Sequence, residues 1–224
     1  MPESYSPVVR FGSFALIVSG ILFIALSAFL LPVPSPPVMN AEWAGWLERW
    51  RFNLSMADEL MFFAPMALIP AVFALHRVLA KNAPVSALLG CGILALVVPN
   101  YLLCAIALGR LVYPVYGIAI STDMLKLMFS LYAGSQHMTL LVLCAATVCL
   151  SLAIWRSPLG RLTAILGFVA AALDLVASYP WLIGNAAMFV TQLFHALWWI
   201  WLGVRLLQTG PLSKKQQDKI RFER

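Results

Sequence analysis

Charge is what this chain lacks most. Of its 224 residues only 11% are Asp, Glu, Lys or Arg, well under the share found in soluble domains, whereas 62% are hydrophobic and the mean hydropathy is +0.89. So little polar surface cannot cover a domain in water, and the apolar excess also excludes a disordered chain. Histidine is scarce, with three residues, and the four cysteines (Cys91, Cys104, Cys144 and Cys149) sit inside apolar runs without metal-ligand spacing. They read as small packing residues. No phosphate loop, dinucleotide fingerprint or zinc motif occurs. Basic residues exceed acidic ones, 15 against 9, but are scattered between apolar runs and gathered in a short tail. That distribution fits membrane orientation better than nucleic acid, so the expected surroundings are a lipid bilayer and no nucleic-acid partner is expected.

What the chain has in abundance is long uncharged runs. A helix needs roughly 20 apolar residues to cross the hydrocarbon core, and six windows qualify, at 11–31, 55–79, 85–108, 132–155, 159–179 and 185–207. The expected fold is all-α, a polytopic membrane bundle of six transmembrane helices with amphipathic outer-surface segments. It would form one domain over residues 1–210, followed by a basic cytoplasmic tail at 211–224. The prolines supply punctuation: Pro32, Pro34, Pro36 and Pro37 close the first window, Pro84 opens the third, and Pro65 and Pro70 predict a kink in the second. Ser157 and Pro158 are expected to cap and start the fifth helix. Tyr179-Pro180-Trp181 through Gly184-Asn185 should break the last long run in two.

An even number of crossings places both termini on one side. That side would hold Arg10, Arg77, Lys81, Arg156, Arg161, Arg205 and the basic tail, against Arg49, Arg51, Arg110 and Lys126 opposite. The positive-inside bias then makes both termini cytoplasmic. Two outer connections are long. In the first, Trp43, Trp46, Leu47 and Trp50 share one helical face, predicting a helix capped by Asn40 and lying along the membrane surface. The second, residues 109–131, carries a short helix after Ser121. The two segments would cover the outer end of the bundle.

Ionisable and amide groups inside spans are costly and mark functional sites by default. At 1.5 Å per residue, Asp174 and Asn100 lie about 12 Å below the outer boundary, His195 about 15 Å, Gln192 about 10 Å, His137 about 8 Å and Glu59 about 6 Å. Along the fifth window Gly167, Ala170, Ala171, Asp174 and Ser178 share a face suited to close helix packing. Thr191, Gln192, His195 and Trp199 share one in the sixth. These phases predict an outward-facing polar pocket in which Asp174 is the charged anchor and His195 a hydrogen-bonding or protonatable partner. Asn100 and Gln192 would orient the ligand, with His137 and Glu59 nearer the mouth. The plain alternative is a hydrogen-bond network that only fixes helix packing. For Asp58 and Glu59 the simpler role is to complement a helix dipole.

Catalytic readings are weaker. Ser135 and His195, with Trp50-Arg51 in the first connection, are similar to features of rhomboid intramembrane proteases. The required G-x-S-G is replaced here by Ala133-Gly134-Ser135-Gln136, which leaves no oxyanion donors in place. No cofactor is expected, although His137 and His195 on different helices are the pair that could hold a haem. The stretches Ser55-Met-Ala-Asp-Glu-Leu-Met-Phe-Phe-Ala-Pro, Gly109-Arg110-Leu-Val-Tyr-Pro and His195-Ala-Leu-Trp-Trp-Ile-Trp-Leu-Gly resemble a bacterial multi-pass family known as a domain of unknown function. That resemblance implies a bacterial inner-membrane protein and transfers no chemistry. The expected function is binding, with translocation in view, of a small molecule or ion. The competing expectation is a structural accessory subunit docking on a membrane-protein partner, and the third an intramembrane enzyme or haem protein.

Overall fold

In the computed structural model, which describes residues 7–118 and 120–209, the regular structure is entirely helical. Seven α-helices are found among the described residues: α1 (Pro7–Leu30), α2 (Trp43–Met66), α3 (Leu68–Leu79), α4 (Pro84–Val112), α5 (Thr122–Trp155), α6 (Arg161–Ala177) and α7 (Pro180–Gln208). A single 3-10 turn, Asn40–Glu42, leads into α2. Five stretches are long and apolar enough to cross a membrane: Pro7–Leu30, Asn40–Leu79, Pro84–Val112, Thr122–Trp155 and Pro180–Gln208. The chain is a multi-pass membrane protein. The basic tail expected at 211–224 lies outside the described residues.

The helices form a bundle in which α4 packs along α5, α1 along α7 and α3, and α6 between α5 and α7. Without a hydrophobic force between helices in lipid, close backbone approach has to supply the attraction, and small residues permit it. A Cβ at Gly12 would stand 2.5 Å from the Pro70 carbonyl oxygen of α3, and one at Gly203 would stand 2.9 Å from the Ser13 carbonyl oxygen of α1. The exterior is correspondingly greasy: Phe11, Phe14, Phe73, Leu88, Ile106 and Leu162 all point outward.

Several local expectations are corrected. Residues 43–51 do not form a separate helix on the membrane surface, because α2 runs unbroken from Trp43 to Met66. Trp43 and Leu47 are buried rather than laid among headgroups. Their face is occupied by α5, which starts at Thr122, ten residues before the expected span, and brings Phe129 to 6.0 Å from both Trp43 and Trp46. Asn40 caps neither the 3-10 turn nor α2, although Ser121 does cap α5 by accepting from Met124 N at 3.4 Å. Ser157 serves the turn before α6, accepting from Leu159 N at 3.2 Å, and the helix itself begins after Gly160 at φ 94°. Pro65 and Pro70 flank the break at Ala67 that separates α2 from α3.

Candidate functional site

The small-residue face of α6 lands where its phase predicts: Gly167, Ala170, Ala171 and Asp174 are all buried, and so is Ser178 just beyond the helix. Facing it, α7 buries Thr191, His195, Trp198 and Trp199. Asp174 is 0% exposed and His195 2% exposed, and His195 Nδ1 lies 2.7 Å from Asp174 Oδ2. These two atoms are each other's partner. Asp174 Oδ1 and His195 Nε2, on the far sides of the two groups, are buried without a hydrogen-bonding partner among the described residues. Buried polar atoms are normally satisfied, so two open ones in the middle of a bundle mark a candidate site.

Aromatic rings enclose the pair. The His195 ring packs edge-on against Trp199 at 4.7 Å and against Trp198 at 5.5 Å. Trp199 touches Phe23 of α1, and Phe23 touches Tyr101 of α4, each at 5.0 Å between ring centres. Beyond this screen, toward the end of the bundle where α1 finishes and α7 begins, lies a cavity of about 420 Å³. That volume falls within the range of small-molecule sites. Its walls include the rings of Trp46, Tyr101, Phe129, Tyr132, Trp181 and Phe189. The polar groups on it are Ser27, Ser35, Gln136, Asn185 and Gln192, with no carboxylate, Lys, Arg or His among the lining residues.

The segment after α1 roofs the cavity. Its prolines remove N–H donors, and its carbonyls are satisfied by side chains from three different helices. Trp46 Nε1 donates to Pro34 O at 3.3 Å, Lys126 Nζ donates to Val38 O at 3.1 Å, and Asn185 Nδ2 donates to Val33 O. Asn185 is placed for this by Gly184, whose φ of 74° interrupts α7 and turns its first residues, including the cavity-lining Pro180 and Trp181, away from the main axis. Such a conformation suits glycine.

Of the residues expected to build a site, Asp174 and His195 meet, and Gln192, one turn from His195, lines the cavity with its Nε2 buried and unpartnered. The others lie apart. Asn100 is neither on the cavity wall nor bonded to the pair; its neighbour Tyr101 takes that place, because one residue along a helix turns the side chain by about 100°. His137 donates from Nδ1 to the Ser178 carbonyl at the end of α6 and packs against Tyr179 and Trp181. It braces the turn between α6 and α7. Glu59 is exposed and accepts from Tyr113 Oη at 2.8 Å. Beside it Asp58 packs against Gly109, where an added Cβ would stand 3.1 Å from Oδ2. The two histidines are thus committed to different protein partners, and Ser135 shares no hydrogen bond with His195 among the described residues. The cavity's aromatic wall was not expected from the sequence. Phe129 and Tyr132 continue the i, i+3 face of α5 from Lys126, which was the available signal.

Comparisons with protein-family models, with curated proteins and with solved structures find no match for this chain.

Proposed function

We propose that this protein is a six-span inner-membrane protein of a bacterium, with both termini cytoplasmic, that binds a small molecule in the cavity beneath the proline segment. The observation that carries the binding reading is the conjunction of a roughly 420 Å³ aromatic cavity, with Gln192 Nε2 unpartnered at its wall, and a fully buried Asp174–His195 pair whose outer atoms, Oδ1 and Nε2, lack hydrogen-bonding partners. A purely structural network would be expected to satisfy its own members. Support for a sixth crossing is the length of α6: its 17 residues are at the short end of spanning helices, and it is sandwiched between two longer ones. The orientation rests on the distribution of basic residues, which would put the cavity on the outer side. The likeness to a bacterial multi-pass family belongs to the same proposal.

In this reading the aromatic walls exclude water and hold the body of the ligand, Gln192 and Gln136 orient it, and Asn185 and Trp46 keep the roof closed by holding the proline segment. The test uses native mass spectrometry of the intact chain released gently from membranes. A bound non-protein mass is expected in the wild type and lost in Ala133→Trp, which fills the cavity from α5. A bound mass that survives Ala133→Trp, or a wild-type protein that carries nothing and binds no small molecule from a screened set, overturns the reading.

A further inference from the structure

The wall of the cavity carries no ionisable acid or base. Although the chain has a formal charge of +6, neither Lys, Arg nor His lines the space, and no Asp or Glu does either. The Asp174–His195 pair is absent from the wall too. A charged ligand entering here would surrender its hydration without gaining a counter-ion, and the attraction of ring faces for a cation is small beside that loss. An uncharged ligand loses far less.

The hydrogen-bond donors on the wall are unevenly used. Ser27 Oγ donates to the Phe23 carbonyl at 2.9 Å, Trp46 Nε1 to the Pro34 carbonyl at 3.3 Å, and Asn185 Nδ2 to the Val33 carbonyl. Those donors are committed to the protein. Gln192 differs, because it lines the cavity while its Nε2 is buried with no partner among the described residues. A buried amide N–H without an acceptor is costly, and the terminal torsion of a glutamine is soft, so Nε2 can turn to an acceptor in the cavity without giving up a hydrogen bond of its own. From these two observations we infer that the cavity takes uncharged, largely apolar ligands that carry a hydrogen-bond acceptor, aromatic ketones being the type, and that Gln192 Nε2 donates to that acceptor. The inference rests on the binding reading above and names its ligand class. The six aromatic rings of the wall pack against the body of the ligand, and Gln192 fixes which end faces α7.

The experiment uses the full chain in phosphatidylcholine nanodiscs at neutral pH, with empty nanodiscs subtracted to remove partition into lipid. Benzophenone is the first probe, and diphenylmethane, which keeps both rings and loses the acceptor, is the second. Methyl para-benzoylbenzoate, the para-benzoylbenzoate anion and the para-benzoylbenzyltrimethylammonium cation test charge at similar size. Equilibrium dialysis should give saturable benzophenone binding that is lost in Ala133→Trp, with diphenylmethane weaker by about five- to tenfold. The methyl ester should stay within a few-fold of benzophenone, and each ion should bind at least about tenfold more weakly than the ester. In Gln192→Leu benzophenone should fall to the level of diphenylmethane while diphenylmethane itself is unchanged, a pattern that a general loss of structure would not produce. The wild-type comparison of probes requires no variant to fold. Equal binding of benzophenone and diphenylmethane, or a preference for benzophenone that survives Gln192→Leu, overturns the inference. An ion that binds as tightly as the ester and is lost in Ala133→Trp overturns the uncharged class and leaves the cavity reading standing. Failure of every probe overturns the ligand class as well, and the native mass spectrum then decides the cavity reading separately.

Discussion

Three residues apart on α7, Trp198 and His195 both face α6, and their polar atoms are treated in opposite ways. Trp198 Nε1 donates to the Thr163 carbonyl at 2.9 Å, Trp201 Nε1 donates to Thr163 Oγ1 at 3.1 Å, and Arg205 Nε donates to the Leu159 carbonyl at 3.3 Å. Toward the cavity, Asp174 and His195 pair with each other, while Asp174 Oδ1, His195 Nε2 and Gln192 Nε2 are buried without such bonds. One half of the α6–α7 contact spends its polar groups on holding the helices together. The other keeps them available. Neither buried polarity nor a single unsatisfied atom marks a site in this molecule, since Ser151 Oγ beside Gly167 is also buried without a partner among the described residues; a group of such atoms next to a cavity does.

That contrast can be broken in order of size. Asp174→Leu leaves an imidazole alone in the interior and should lower stability by about 3–5 kcal/mol, while the double change Asp174→Leu with His195→Leu should restore most of the loss. Unfolding of the purified protein in mixed micelles measures both, and a single change costing less than about 1 kcal/mol would mean that the two groups are not coupled. Gly167→Ala comes next. Its Cβ would collide with Ser151 Oγ and stand 2.8 Å from Trp198 Cζ2, so a loss of about 1–3 kcal/mol is expected from overpacking. Trp198→Phe should cost about 1 kcal/mol through the bond to Thr163 and leave cavity binding unchanged. Arg205→Gln should cost least, about 0.5 kcal/mol, since the guanidinium is partly exposed and adds a stack on Trp201, one bond to the Leu159 carbonyl and an exposed bond to Gln208 Oε1. If Trp198→Phe abolished binding while Asp174→Asn did not, the division between the two halves would be reversed.

The meeting of Asp174 and His195 was legible because helical phase and depth can both be counted along an uninterrupted apolar run. Small residues around Asp174 mark the packed face whatever the neighbours are. The choice of Asn100 over Tyr101 shows where counting fails: Pro99 drew attention to the amide beside it, but only the packing of α4 against α5 and α2, with Tyr101 meeting Phe23, decides which of two adjacent side chains turns inward. The cavity was hidden for a different reason. Its wall joins Trp46 from the start of α2 to Phe129 and Tyr132 from α5, and those stretches look like interfacial layers in isolation. Tryptophan on one helical face serves a headgroup region or a partner helix equally well, so periodicity could not separate the two. The 17-residue α6, similarly, is apolar enough to be seen and too short for length alone to settle its role.

The length of the second apolar stretch has a practical use. Asn40–Leu79, which α2 and α3 share across the break at Ala67, runs on the order of 60 Å along its helices, about twice the thickness of the hydrocarbon, so part of it projects beyond the acyl chains. On that projecting part, Gly45 faces open space, with nothing within 4 Å of an added Cβ. A cysteine introduced there becomes a chemical flag: a membrane-impermeant maleimide applied to intact cells labels it from one compartment only, and so reports which way the whole molecule is threaded.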